Sequence, residues 1–344
     1  MRKIGVLSGG SSSPEVLVQQ KVLCNWGMTL KQSSAVHIQA LVSADGIMPG
    51  FCWLTSAFSY KFSFSSGRTV GQFPSCTKPQ SLAEILMNCI FCDVKILKSS
   101  IEHIVPESLG NIWYILPSGF VCNKCNGDFS EFEGKAIQKT QLGFARILNG
   151  VKTKKGKPSS FEIGNIKGEG TNSNENNVLT FFGLQEKDIV GVNQQKGTFD
   201  ILVPDFSKSE MATSKMLLKI AYESIVKSQK QLLSKYDFSE LKKYIIKLDN
   251  KDWPFLTTTK PFYDFKSIPS FTDKHNLNRI NCKLLIAEVS DKVLLFDFRY
   301  KYLSFVINLL NRDYSWTKIY FEKDKMPGLY PTYLLKKYPP QAQE

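Results

Sequence analysis

Two Cys-x-x-Cys knuckles, Cys89-Ile-Phe-Cys92 and Cys122-Asn-Lys-Cys125, constrain this chain more than any other feature. Each knuckle turns two thiols toward one point, and 29 residues, Asp93 to Val121, separate the pair. Four thiolates so placed suit a closed tetrahedral Zn2+ site, with every position filled and none left for substrate. A redox CxxC needs no second pair. Cys89, Cys92, Cys122 and Cys125 are therefore expected to hold a structural zinc that folds a small module between them. Lys124 inside the second knuckle offsets part of the thiolate charge. Cys24, Cys52, Cys76 and Cys282 are scattered, which suits a reducing, cytoplasmic setting better than a secreted disulfide framework.

Charge narrows the partners. The 344 residues carry 44 Lys+Arg against 31 Asp+Glu, a formal net charge of +13. Such an excess favours polyanions, nucleic acid or an acidic membrane surface. No apolar run approaches the roughly 18 residues needed to span a membrane. The N-terminal stretch lacks the apolar core and cleavage site of a signal peptide.

Composition divides the chain into four parts. Residues 1–86 hold 10 charged residues and 14 serines, about half the charge density of residues 87–344. Lys3–Leu7 reads as a strand and Glu15–Cys24 as a helix, but little else there is periodic. From the break at Met87, residues 1–86 are expected to be a poorly integrated extension, upstream sequence read in frame. Residues 87–149 hold the knuckles, with short strands expected at Ile101–Ile104, Ile112–Leu116 and Phe120–Val121. A helix is expected over Gly127–Lys139, where Phe129, Phe132, Ala136 and Ile137 share one face. Residues 150–176 read as a basic, polar linker. Residues 177–344 read as a mixed α/β domain. It has strands at Val178–Phe182 and Thr198–Val203 and helices at Ser209–Ser228 and Ser239–Leu248. It ends in an antiparallel meander over Cys282–Val289, Lys292–Tyr300 and Leu303–Leu310. In the Ser209–Ser228 helix, Met216, Leu217, Ile220, Ala221, Ser224 and Ile225 form the apolar face, with lysines elsewhere. The fold class is α+β.

Between the knuckles stands Glu102-His103-Ile-Val-Pro106, and Asn126 directly follows the last cysteine. Histidine at neutral pH is a natural general base. Hydrolysis of a phosphodiester needs an activated water and a cation facing the leaving oxygen. Mg2+ prefers carboxylate and amide oxygens, which Glu102 and Asn126 offer. Neighbouring strand residues face opposite ways, so Glu102 and His103 reach one site only where the strand ends, as Pro106 suggests. Glu133 lies seven residues after Asn126, two helical turns on and on the same face. It is a further candidate ligand, with Asp128 weaker.

The run CIFC…EHIVPESLGN…VCNKCNGDFSEFEGK over Cys89–Lys135 resembles the zinc-stabilised HNH endonucleases. The resemblance implies a ββα-metal module with a four-cysteine zinc. It implies His103 as the base, and Glu102 and Asn126 as ligands of one catalytic divalent ion, Mg2+ or another. The family's middle asparagine holds the base-bearing segment in place. Its nearest counterpart is Asn111, which comes early for that role. The last position is Asn rather than His, which the family tolerates.

The densest basic stretch near the motif is Arg146, Lys152, Lys154, Lys155 and Lys157, placed to reach phosphates without reading sequence. The same residues also suit a solvated linker. Ser8–Ser13 lacks the Gly-Lys-Ser/Thr end of a phosphate loop. The expected function is a DNA endonuclease, with RNA a weaker substrate. The rival is a non-catalytic zinc-dependent nucleic-acid-binding module, which would not need Glu102-His103.

Overall fold

The architecture comes from a computed structural model. It describes residues 22–23, 36–41, 88–97, 99–170, 178–193, 198–203, 209–246, 249, 251–258, 260–323 and 327–337. Within residues 1–86, strands β1 (Val22–Leu23) and β2 (Val36–Leu41) are described. The strand expected at Lys3–Leu7 lies outside the described residues. So does most of the helix expected over Glu15–Cys24, whose Val22–Leu23 is a strand.

The knuckle region forms a short hairpin, β3 (Glu102–His103) and β4 (Ile115–Leu116), followed by helix α1 (Asn123–Gln138). Glu102 pairs with Leu116 and His103 with Ile115. The helix begins four residues before the expected Gly127. Its first turn is the second knuckle: Cys122 is the N-cap, and its sulfur accepts from the Cys125 amide at 3.4 Å. Phe129, Phe132, Ala136 and Ile137 are buried, as their spacing predicts.

Helix α2 (Gln141–Leu148) comes next, capped by the Thr140 hydroxyl. The segment expected as a linker is ordered through Gly170. It holds a turn closed by Thr153 and Lys157, then strands β5 (Ser160–Ile163) and β6 (Ile166–Gly170). The lysines hide a β-hairpin pattern: Phe161, Ile163 and Ile166 are buried against Phe144 and Ile147 of α2. Strands β7 (Val178–Phe182), β8 (Ile189–Asn193) and β9 (Thr198–Val203) complete an antiparallel sheet in the order β5-β6-β7-β1-β2-β9-β8.

Helix α3 (Glu210–Ser228) runs through the centre of the molecule, and 15 of its 19 residues are buried. Helices α4 (Lys230–Lys235) and α5 (Ser239–Ile245) fold back along it. The second sheet uses β10 (Phe255–Thr257) and β11 (Lys266–Ser267). Helix α6 (Phe271–Arg279) leads into the meander β12 (Cys282–Ser290), β13 (Val293–Tyr300) and β14 (Leu303–Asn308). Helix α7 (Lys318–Lys323) and strand β15 (Gly328–Tyr330) close it in the order β11-β12-β13-β14-β10-β15. Alternation along β13 gives this sheet two faces. Leu294, Phe296, Phe298 and Tyr300 join the core around α3, while Val293 and Leu295 meet Trp316 and Tyr320 of the α7 segment.

One apolar core spans the knuckle region, α3 and the second sheet. Phe91 packs edge-on against both Phe129 and Tyr222, and the Tyr300 hydroxyl donates to the Leu109 carbonyl at 3.0 Å.

Candidate active site and metal centre

The four cysteines converge as their spacing requires. All four sulfurs lie within 4.8 Å of one another, and those of Cys92 and Cys122 are 3.7 Å apart. Tetrahedral zinc with Zn–S bonds near 2.3 Å sets neighbouring sulfurs about 3.8 Å apart. Crowded thiols share protons. The hydrogen bond with Cys125 holds Cys89 down at about 4, and the same contact pushes Cys125 up. Burial pushes Cys92 up. A bound cation lets all four ionise together, so the donor set fits zinc.

Behind the knuckles, the strand that carries His103 is held from three sides. Ser100 links it to α1: its amide donates to the Asn123 side chain at 3.2 Å, and Asn126 Nδ2 donates to its hydroxyl at 2.9 Å. Asn111 closes the loop between β3 and β4. Its Nδ2 donates to the carbonyls of Val105 (2.7 Å) and Tyr114 (2.9 Å), and its Oδ1 accepts from the Tyr114 and Trp113 amides. Asn111 is buried and uses its full amide to brace the segment carrying His103. The early position in sequence is no obstacle, because the loop doubles back at Gly110, where φ is +92°.

The third hold comes from far away in sequence. Lys219 of α3 is fully buried, and its ammonium donates to Glu102 Oε1 at 2.5 Å and to the His103 carbonyl at 2.8 Å. It also lies 3.0 Å from Glu133 and 3.1 Å from Glu223. Burial alone would lower the lysine, but Glu133, Glu223 and Glu102 outweigh it and hold Lys219 above the usual range. Burial pushes Glu223 well up and Glu133 up, against the pull of Lys219. Glu102 Oε2 is buried with no hydrogen-bond partner among the described residues. The sequence expected the lysines of this helix on its polar side. Lys215 and Lys219 are buried because α3 packs against α1 on one flank and against the second sheet on another.

Glu102 and His103 face opposite ways, as strand alternation requires. Glu102 points into the core, whereas His103 is half-buried and its imidazole has no hydrogen-bond partner among the described residues. The hydrogen bond from Lys154, 2.7 Å from Glu107, lowers the Glu107 carboxyl. Lys152, Lys154, Lys155 and Lys157 are exposed around that turn. Arg146 does not join them. It is 6 % exposed within α2, and desolvation lowers its pKa. The amphipathic pattern of α2 turns it inward, so it is removed from the surface set expected from sequence.

Glu102 of β3 and Glu133 of α1 thus meet on Lys219, and Asn126 reaches the segment just before β3 through Ser100. Residues 89–141 match the family model for HNH endonucleases. No curated protein and no solved structure matches the chain. The HNH match takes in the four cysteines, the acid–histidine pair, Asn111, Asn126 and Glu133, and it supports a nuclease-type function. It stops well before Lys219, whose contact with Glu102 the sequence did not reveal. The signal available was the run Met216–Val226, where Met216, Tyr222 and Val226 flank Lys219 on its own side of the helix.

Proposed function

We propose that the chain is a metal-dependent DNA endonuclease in which His103 is the general base. The half-buried, unpartnered imidazole carries this reading. It stands on a strand that Asn111, Ser100 and Lys219 hold in place. His103 takes a proton from the water that attacks the scissile phosphorus, as the 3′ oxygen departs with growing negative charge. Glu102, expected as the second ligand, does not fit beside His103, because it points into the core and is held by the Lys219 ammonium; Asn126 Oδ1, a hard oxygen donor, would hold Mg2+ or a similar ion. When bound, that ion supplies positive charge to the phosphate. Cys89, Cys92, Cys122 and Cys125 would hold a structural zinc that fixes the first turn of α1, and with it Asn126. Residues 177–344 would position the nucleic acid. No described helix is long and apolar enough to cross a membrane.

Plasmid nicking with Mg2+, comparing the wild type with His103→Ala, tests this. Loss of the base removes about 10²–10⁴-fold of the rate while the melting temperature stays put. Wild-type cleavage of RNA but not of DNA would reassign the substrate. DNA binding without cleavage under any divalent ion would leave a non-catalytic zinc module.

A further inference from the structure

The second sheet has one face packed around α3 and one only half covered. The α7 segment covers Val293 and Leu295, and along the same strand face Asp297 and Arg299 come next. There the sheet opens into a cleft of about 550 Å³ lined by Lys260, Lys283, Arg299, Lys301, Asn278 and Asn281, among others.

The charge pattern is one that folding alone disfavours. Lys283 and Arg299 are direct cross-strand partners, and Arg299 in turn faces Ser304. Like charges opposite each other on a sheet face are destabilising. One buried carboxylate, Asp297, offsets Arg299 from below at 2.7 Å. Among the described residues Lys260 and Lys283 make no ion pair, and both are exposed. A concave row of cations with one acid beneath them suits an anion.

The cleft also adjoins the nuclease module. Lys301 donates to the Leu148 carbonyl at 3.0 Å, and Asn281 donates to Asn149 Oδ1 at 3.1 Å. The basic turn of Lys152–Lys157 comes directly after, and its Lys154 reaches Glu107 beside His103. Cations therefore run from the base-bearing strand to the cleft with little interruption.

We infer that this cleft, through Lys260, Lys283 and Arg299, binds the phosphodiester backbone of duplex DNA flanking the cleaved bond. The inference rests on the nuclease reading for its choice of ligand. Neutralising two phosphate contacts lowers the slope of log affinity against log salt by about 2. The probe is duplex DNA, bound without Mg2+ to full-length His103→Ala protein. Lys260→Gln with Lys283→Gln should lower the slope by that amount. Lys230→Gln with Lys336→Gln, an equal change of net charge elsewhere, should leave it nearly unaltered. Equal slopes for the two double variants overturn the proposal, as does a parent protein that binds no DNA. An unchanged DNA slope with lost uptake of inorganic phosphate would overturn it in favour of a small-anion pocket. Plasmid nicking by the wild type is scored separately. A protein that cuts nothing yet loses salt slope in the cleft variant keeps the cleft and sinks the nuclease reading. One that nicks with an unaltered slope does the reverse.

Discussion

Two devices grip the same short module, and they differ in almost every respect. The cysteine clamp is local: Cys89 to Cys125 lie in one stretch, partly solvent-facing, and need only a metal to close. The Lys219 hub is remote and centred on a fully buried lysine, and it is made of protein charge alone. The clamp fixes the start of α1, whereas the hub fixes β3 and ties it to α3. Each thus sets one wall of the site. The metal clamp belongs to the matched HNH segment, but the hub makes that segment depend on a helix 78 residues beyond its end, at Lys219 against residue 141.

Cys92→Ser should break the comparison most severely. Structural zinc supplies an apparent binding free energy of about 10–16 kcal/mol to folding. The variant is expected to purify with clearly less than one equivalent of zinc and to lose the module's circular dichroism and its cleavage together. Full zinc occupancy in that protein would rule out the clamp. Lys219→Met comes next. It leaves the buried Glu102 and Glu223 and the partly exposed Glu133 without their cation, and breaking a buried pair costs about 3–5 kcal/mol. Urea denaturation should show that loss while zinc content stays at one equivalent. Adding Glu102→Gln and Glu133→Gln should return much of the stability without restoring cleavage. A Lys219→Met protein of wild-type stability would mean that the hub is incidental.

Legibility in the sequence divides along the same line. The knuckles, Glu102-His103, Asn126 and the meander can be read because each is encoded within a few residues, by fixed spacing or by period-2 alternation. Lys219 cannot, because its partner Glu102 is 117 residues away and a lysine on a helix usually faces solvent. Arg146 errs in the opposite direction: it stands near a lysine-rich turn in sequence, yet α2 buries it. Residues 150–170 read as a linker because charge and glycine mask the three apolar residues that pin β5 and β6 to α2. Asn111 is visible in the sequence but its role is not, since only the folded loop brings together both carbonyls that it bridges.

Asn111→Ala probes the polar brace that supports the strand between the two devices. It removes four hydrogen bonds and strands the Val105 carbonyl and the Tyr114 amide, while the Tyr114 carbonyl still accepts from the Ile104 amide. An unsatisfied buried acceptor costs about 1–3 kcal/mol. A net loss of about 2–3 kcal/mol is expected, with zinc retained and cleavage reduced. Unchanged stability would show that water replaces the amide and that the loop needs no brace.

The smallest effect is expected at the edge of the site, where the charges are solvated rather than buried. Lys154 is 79 % exposed at its side chain, and its bond to Glu107 is the kind of surface pair worth about 0–1 kcal/mol. The bond lowers the Glu107 carboxyl. A lowered carboxylate adds stability above its unfolded pKa and loses it as pH falls through the folded value. Lys154→Gln should therefore cost a little at neutral pH and nothing in strong acid, so the stability curves of variant and parent converge as pH drops. Against Lys219→Met the contrast is one of burial and of number, since Lys219 holds three glutamates in the interior and Lys154 one at the surface. Comparable losses from the two variants at neutral pH would mean that desolvation does not set the strength of the hub.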